Sequence, residues 1–558
     1  MNARAGRPRH RGLAARLGRF AFAVAVAGAA AAVSQEGAGE ATLLGAVEIH
    51  CADVFDAAGA ATNPVYGLAN ALHAITDEAV VAREVWLAPG DRITAADAAE
   101  IERNLRALGL FGAVTVELRP AGPGRSDLVI RTRDRFSLTA SAGVSRVGGI
   151  DKVVFRLSES NLLGTGKAVA LASSRADGQR AQLLHFTDPQ LFGSWHVLDV
   201  DAGTTDTGGF ASVALSRPQR RLEDPFTYGC SFAHVDENLH RYRDGRTVAE
   251  VPSLRDGLHL FGARSDGRRE LRRAIGLDLR ASRRDYDPAF GEEAALVRVP
   301  GATQEFELGP YWSLDWRPRF DVVRRLDALD YDEDIALGMH CDVRLAGRWR
   351  DEAGVGDAVQ PLLATAARAV FAPVDDCYVA LATAATARLE GDREVGWHVG
   401  ASAHACWLGL PAQTLVFRAT IDDLGERQDF AAQLTLGEDN GLRGYSARAF
   451  AGSRRVRLNV EDRIDTGIEI LSVHIGLAAF CDVGWMDDPD AGRALGAPHG
   501  GVGVGLRFGS SHLVGRQVLR LDCAWPLDAD PVAGNRVSVS FTVGQLFGFL
   551  DDAIDLGR

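Results

Sequence analysis

From about Phe136 to Phe547 apolar and polar residues alternate with a period of two, in runs broken by Gly, Asp and Pro. Between Arg273 and Arg283, for example, Ile275, Leu277, Leu279 and Ala281 fall on one face of a strand, and Asp278, Arg280 and Ser282 on the other. The same split recurs from Arg455 to Glu461 and from Leu519 to Trp525. Successive side chains of a strand point to opposite faces, so such a chain needs two different surroundings for the two faces of one sheet. A soluble sandwich supplies a core and water. A membrane barrel supplies hydrocarbon outside and an aqueous lumen inside, and an arginine facing the bilayer midplane would cost roughly 2–4 kcal/mol. Each run is close to the roughly 9–11 residues that a tilted membrane strand requires.

The first residues favour the membrane. Arg4, Arg7, Arg9, Arg11, Arg16 and Arg19 occur without an acid, followed by an apolar run from Phe20 to Val33 and small residues from Ala29 to Ser34. This is the pattern of a secretory signal peptide over 1–34, cut near Ala32 to Gln35. The run is shorter than the roughly 18–20 residues of a membrane helix, and no later window reaches that length, so a crossing must be made by strands of a closed barrel. The expected fold is mainly β, with a C-terminal transmembrane antiparallel β-barrel over 136–547. About 410 residues at roughly 25 per strand and turn give about sixteen strands, an even number as in bacterial barrels.

Composition excludes several function classes. The formal charge is -13, and without the six leader arginines it becomes about -19, which argues against a nucleic-acid partner. Cys51, Cys230, Cys341, Cys377, Cys406, Cys481 and Cys523 are scattered singly, a spacing that forms neither a zinc site nor a disulfide framework. The sequence has no Gly-x-Ser-x-Gly elbow, no His-Glu-x-x-His and no dinucleotide fingerprint, so no enzyme, cofactor or metal is expected. Gly164-Thr165-Gly166-Lys167 is followed by Ala168 and no helical pattern, and reads as a β-turn rather than a phosphate loop.

Residues 35–44 read as a tether, and 45–135 as a compact α/β unit. Val47 to His50 alternates as a strand, Tyr66 to His73 and Asp77 to Val85 have helical character, and Thr94 caps a longer helix with Asp97 in the capping-box position. Ile101, Leu105 and Leu108 recur at helical spacing. Ala113 to Leu118 and Ser126 to Arg131 are two strands around a turn at Pro120 to Gly124. Residues 548–558 form a tail.

One arginine stands between two glycines in Gly441-Leu442-Arg443-Gly444-Tyr445, amid β-patterned sequence. About forty residues on, Phe480-Cys481-Asp482-Val483-Gly484 offers a carboxylate, and the chain runs on to Val539-Ser540-Phe541-Thr542-Val543-Gly544-Gln545-Leu546-Phe547. Together these resemble the outer-membrane assembly-factor superfamily of BamA and TamA, the bacterial surface antigen family. The α/β unit is similar to a single POTRA module, with Leu108-Gly109-Leu110-Phe111 leading into its strand. Glu159 to Lys167 and Asp188 to Ser194 resemble the first hairpins of the family's barrel.

The resemblance implies that Leu442, Arg443, Gly444 and Tyr445 lie at the tip of an extracellular loop folded into the lumen, where Arg443 meets Asp482. Glu461 and Asp522, on the charged faces of neighbouring strands, are further partners. Phe541, Val543, Gly544 and Phe547 are similar to the C-terminal strand signal read by the host's assembly machinery, although the chain continues past the terminal aromatic residue. The implied function is insertion or translocation of proteins at the outer membrane, with the POTRA module in the periplasm. Outer-membrane lipid, unfolded outer-membrane or secreted clients, and periplasmic or lipoprotein partners are implied with it. The alternative is a secretion or passive transport pore without insertase activity.

Overall fold

The computed structural model describes residues 41–549, except 177, 222, 269, 298, 330–331, 354–355, 391–393, 426–432, 471–472, 489–493, 510–517 and 544–547. The leader, Gly544 and Phe547 of the closing strand, and the tail beyond Phe549 lie outside the described residues.

A small α/β unit comes first. β1 (Thr42–Ala52), β2 (Arg92–Ile93), β3 (Phe111–Gly122) and β4 (Arg125–Asp134) form a sheet in the order β2-β1-β4-β3. β1 is parallel to β4, and β3 is antiparallel to it. The helices are α1 (Ala57–Thr62), α2 (Pro64–Leu72), α3 (Glu78–Ala82) and α4 (Ala95–Ala107). α4 starts where the capping-box signature puts it: the Asp97 N–H donates to the Thr94 hydroxyl at 3.2 Å, and the Thr94 N–H donates to the Asp97 carboxylate at 2.8 Å, satisfying amides that have no partner within the helix. Ile101 and Leu105, one turn apart, are buried against Leu44, Ile93, Leu128 and Ile130. The short α1, capped by Asp56, has no apolar stripe to announce it in the sequence.

The rest of the chain closes into one antiparallel barrel of twenty strands, from β5 (Leu138–Val147) to Ser538–Val543, with Ala494–Leu495 as a short side pairing on the end of Val473–Asp488. This corrects the expected sixteen. The turns at 148–149, 206–207 and 244–245 join their strands directly, so these strands and turns use less chain than the 25 residues allowed for each.

The side chains sort as the alternation demands. Ile275 and Leu277 are 65% and 62% exposed on the outside, while Asp278 between the outward positions is 6% exposed. Leu519 and Leu521 likewise face out, and Arg520 and Asp522 are buried on the inner side. An outer belt of Val, Leu, Ile and Phe around a charged interior is inverted relative to a water-soluble fold, and it is the arrangement that hydrocarbon stabilises. The chain is a membrane-spanning barrel.

The small unit is keyed to the barrel through the turns after the second and fourth barrel strands. The buried Asn161 donates from Nδ2 to the Thr76 hydroxyl at 2.9 Å and accepts the Gly166 N–H at 2.8 Å. Gln190 donates to the Val80 carbonyl at 3.1 Å and to Glu84 at 2.7 Å, and the Trp195 indole N–H donates to the Arg83 carbonyl at 2.7 Å. Gly164, at φ +74°, has Ile75 O 2.4 Å from where a Cβ would stand, so any side chain would push the unit off the turn. Asn161→Ala leaves buried polar groups unpaired, at a cost of about 1–3 kcal/mol. Hydrogen exchange should rise in residues 74–84 while the barrel strands stay protected.

Candidate functional site

The connection 425–453 links the strands Gln413–Leu424 and Arg454–Ile470. Leu434–Leu436 and Phe450–Gly452 pair as a ribbon, and the segment between them folds into the lumen, where Leu442, Arg443 and Tyr445 are completely buried. Gly441 and Gly444 flank Arg443 at φ +110° and +97°, left-handed conformations that other residues adopt only with strain. The two glycines turn the chain sharply enough to present the guanidinium.

All sides of that guanidinium are occupied. Arg443 Nε and Nη2 donate to the two carboxylate oxygens of Asp482 at 2.7 and 3.0 Å, and Nη1 donates to Glu461 at 2.6 Å. Asp522 lies 3.8 Å away, and the Phe480 ring is stacked beneath, 3.4 Å from centroid to guanidinium carbon. The Arg443 N–H also donates to Asp482 at 3.2 Å, so the carboxylate holds backbone and side chain together. Asn459 completes the contact by donating to Asp482 at 2.8 Å and to the Gly441 carbonyl at 2.7 Å. Burial pulls the Arg443 pKa down, but Asp482 and Glu461 outweigh it and hold the pKa above the ordinary arginine value.

The sequence-expected residues Leu442, Arg443, Gly444, Tyr445, Asp482, Glu461 and Asp522 are therefore brought together. Phe541 lies apart, on the strand that closes the barrel, where it faces Arg146 of β5. Sequence reasoning missed the second set of cations. Arg507 donates to Asp522 at 2.6 Å and to Glu461 at 3.3 Å, Arg463 donates to Glu461 at 3.0 Å, and Arg520 donates to Asp522 at 3.3 Å. The signal was available: Arg463, Arg507 and Arg520 have the same inward parity as the carboxylates.

Glycine makes room for the loop. A Cβ on Gly501 would stand 2.1 Å from the Arg443 carbonyl oxygen, so the glycine-spaced strand His499–Gly509 is slim on its inner side where the loop backbone passes. Tyr445 extends the anchorage, donating to the Gly500 carbonyl at 2.9 Å and bonding Asp528, which also holds His499 at 2.5 Å.

The network continues toward the small unit. Arg463 Nη1 donates to the Leu326 carbonyl at 2.9 Å and lies 3.6 Å from Asp327. These residues belong to an inward turn whose N–H groups at 326–328 converge on the buried Glu333 carboxylate. The Phe549 N–H donates to Asp327 at 2.8 Å, and its ring is buried beside His404. Phe549, beyond the last strand, thus lies in the lumen.

No family model and no curated protein matches the sequence. Solved structures do. CdiB from Escherichia coli aligns with a TM-score of 0.47 and 14% identity over 90% of this chain and 76% of that one. CdiB from Acinetobacter baumannii aligns at 0.44 and 10% over 95% and 96%. BamA from Haemophilus ducreyi lacking POTRA domains 1-3 aligns at 0.39 and 14% over 91% and 85%. The likeness is one of overall fold.

Removing one partner of a buried ion pair costs about 3–5 kcal/mol because the other charge is left unsatisfied. Arg443→Ala should give a folded, heat-modifiable barrel with a lowered melting temperature and a protease-sensitive segment at 434–452. Arg443→Lys should rescue little, since an ammonium cannot reproduce the fork that meets Asp482 and Glu461 together. Unchanged melting and proteolysis in Arg443→Ala would exclude a bracing role for the loop.

Proposed function

We propose that this chain is an outer-membrane protein that inserts or translocates other proteins, with residues 45–135 acting as a periplasmic POTRA-type module. One observation carries the reading: the bracing of the lumen is lopsided. The carboxylates that pin Arg443, Glu461, Asp482 and Asp522, come from the late strands Arg454–Ile470, Val473–Asp488 and Val518–Pro526. On the early strands, inward residues such as Thr139, Ser141 and Arg156 are exposed to water. A polypeptide passing through or beside the barrel meets a braced wall on the late strands and, directly across the seam from it, a hydrated wall on the first strands.

The module is docked beneath that hydrated wall. The outer edge of β3 has no partner strand among the described residues, and β1 is covered by β2 only near Thr42 and Leu43. Edges of this kind capture an extended chain as an added strand, with main-chain hydrogen bonds supplying affinity without demanding one sequence. A captured client would be delivered next to the junction between β5 and Ser538–Val543. Folding of the client into the membrane releases the free energy, so no nucleotide is needed. In this reading Phe541, Val543, Gly544 and Phe547 are the strand signal by which the protein is itself assembled, and the leader at 1–34 exports it.

Reconstitution tests the proposal. Liposomes carrying the protein should accelerate folding of a urea-unfolded client barrel, and deletion of 45–135 should remove most of the gain. Large single-channel conductance without acceleration would replace insertion with a transport pore.

A further inference from the structure

The barrel closes where β5 meets Ser538–Val543, and among the described residues the register of that junction rests on Phe541 opposite Arg146. At the end of the barrel away from the small module, a side chain from the lumen loop lies across the two strands. Glu438 Oε2 accepts the Gly148 N–H at 2.8 Å and the Ser538 hydroxyl at 2.8 Å, with Ser540 beside the same carboxylate. Gly148 is the turn residue that ends β5, and Ser538 begins the last strand.

We infer that Glu438 is a latch that holds the barrel seam shut from inside, positioning its two strands through one carboxylate oxygen. The inference rests on the reading that the seam opens, and deepens it by naming the group that must let go.

Three features make the contact more than a chance neighbour. Glu438 is 1% exposed, and a carboxylate taken out of water needs donors to hold it there. The donors it finds come from opposite sides of the junction. The loop also approaches the first hairpin by its backbone: the Ala447 N–H donates to the Gly148 carbonyl at 2.8 Å. Gly148 stands at φ +57°, and a Cβ there would lie 2.2 Å from Ala447 N, so this approach requires glycine.

The latch is joined to the Arg443 clasp by a short rigid link. The Leu442 N–H donates to the Gly437 carbonyl at 2.9 Å, and the Gly437 N–H donates to the Asn440 side chain at 3.0 Å. This tight turn carries Glu438 and Arg443 as one piece. The loop therefore reaches along the inner wall from the late strands to the adjoining seam, and withdrawal of Arg443 would pull Glu438 away from Gly148 and Ser538.

Hydrogen exchange of the intact protein in lipid nanodiscs, with no client, tests this. Glu438→Ala should raise exchange at 142–150 and 538–543 by about tenfold or more, the size expected for losing hydrogen bonds to a charged acceptor, with Gln413–Leu424 unchanged. Glu438→Gln keeps an acceptor oxygen and should stay near the parent protein. Ser538→Ala, which leaves the loop intact, should give a smaller rise at the same strands and carries the test if Glu438→Ala does not fold. Unchanged exchange at the seam, or a rise spread evenly over the barrel, would overturn the latch. A loosened seam in a protein that fails to accelerate client folding would keep the latch and remove the insertion reading; accelerated folding with an unresponsive seam would do the reverse.

Discussion

A charged guanidinium with no water around it organises the interior of this barrel. Taking an arginine out of solvent costs several kcal/mol even after the surroundings relax, and only full hydrogen bonding and opposite charge offset it. Arg443 obtains both from Asp482 and Glu461, with Asp522 close by. Those carboxylates are in turn balanced by Arg463, Arg507 and Arg520. No member can leave without stranding another, so the loop has one inward position rather than a range of them. Tyr445, Glu438 and the Ala447 amide owe their places to that position.

Bracing by this cluster divides the cylinder. Behind the loop, the inner faces of the late strands are packed with charge pairs that satisfy each other; next to them across the seam, the first strands line the lumen with exposed polar residues. A barrel of twenty strands has a lumen that one loop cannot fill, and the loop is attached to one wall and to the junction where the walls meet. At the other end, the turn at 325–329 and Phe549 add a second inward element, which reaches the same cluster through Arg463 and Asp327. A braced and a hydrated stretch of one sheet thus adjoin at the seam, and the small unit sits under the hydrated stretch.

Much of this was legible because the rules involved are local. The Thr94–Asp97 capping box announces α4, since the unpaired amides of a helix start need nearby acceptors. Inward and outward faces follow from parity alone: Leu521 and Asp522 are adjacent in the chain and must face different solvents. Arg443 and Asp482 were legible as a pair through the resemblance to the outer-membrane assembly-factor superfamily, since no local rule joins a glycine-flanked arginine to a carboxylate about forty residues on. The strand number was not legible, because it depends on how tightly each turn is made, and the turns at 148–149, 206–207 and 244–245 are tighter than an average suggests.

The sequence by itself determined the two-faced strands and the capped helix, because each depends on neighbours within a few positions or on the period of a strand; the part played by Arg443 was legible only through the family resemblance. Only the tertiary structure decided that twenty strands close the ring, that Asp482, Glu461 and Asp522 crowd one guanidinium, and that Glu438 reaches both Gly148 and Ser538. Those relations join residues up to hundreds of positions apart. They exist only once ring closure brings the first strand to the last and loop burial forces every polar group inside to find a partner.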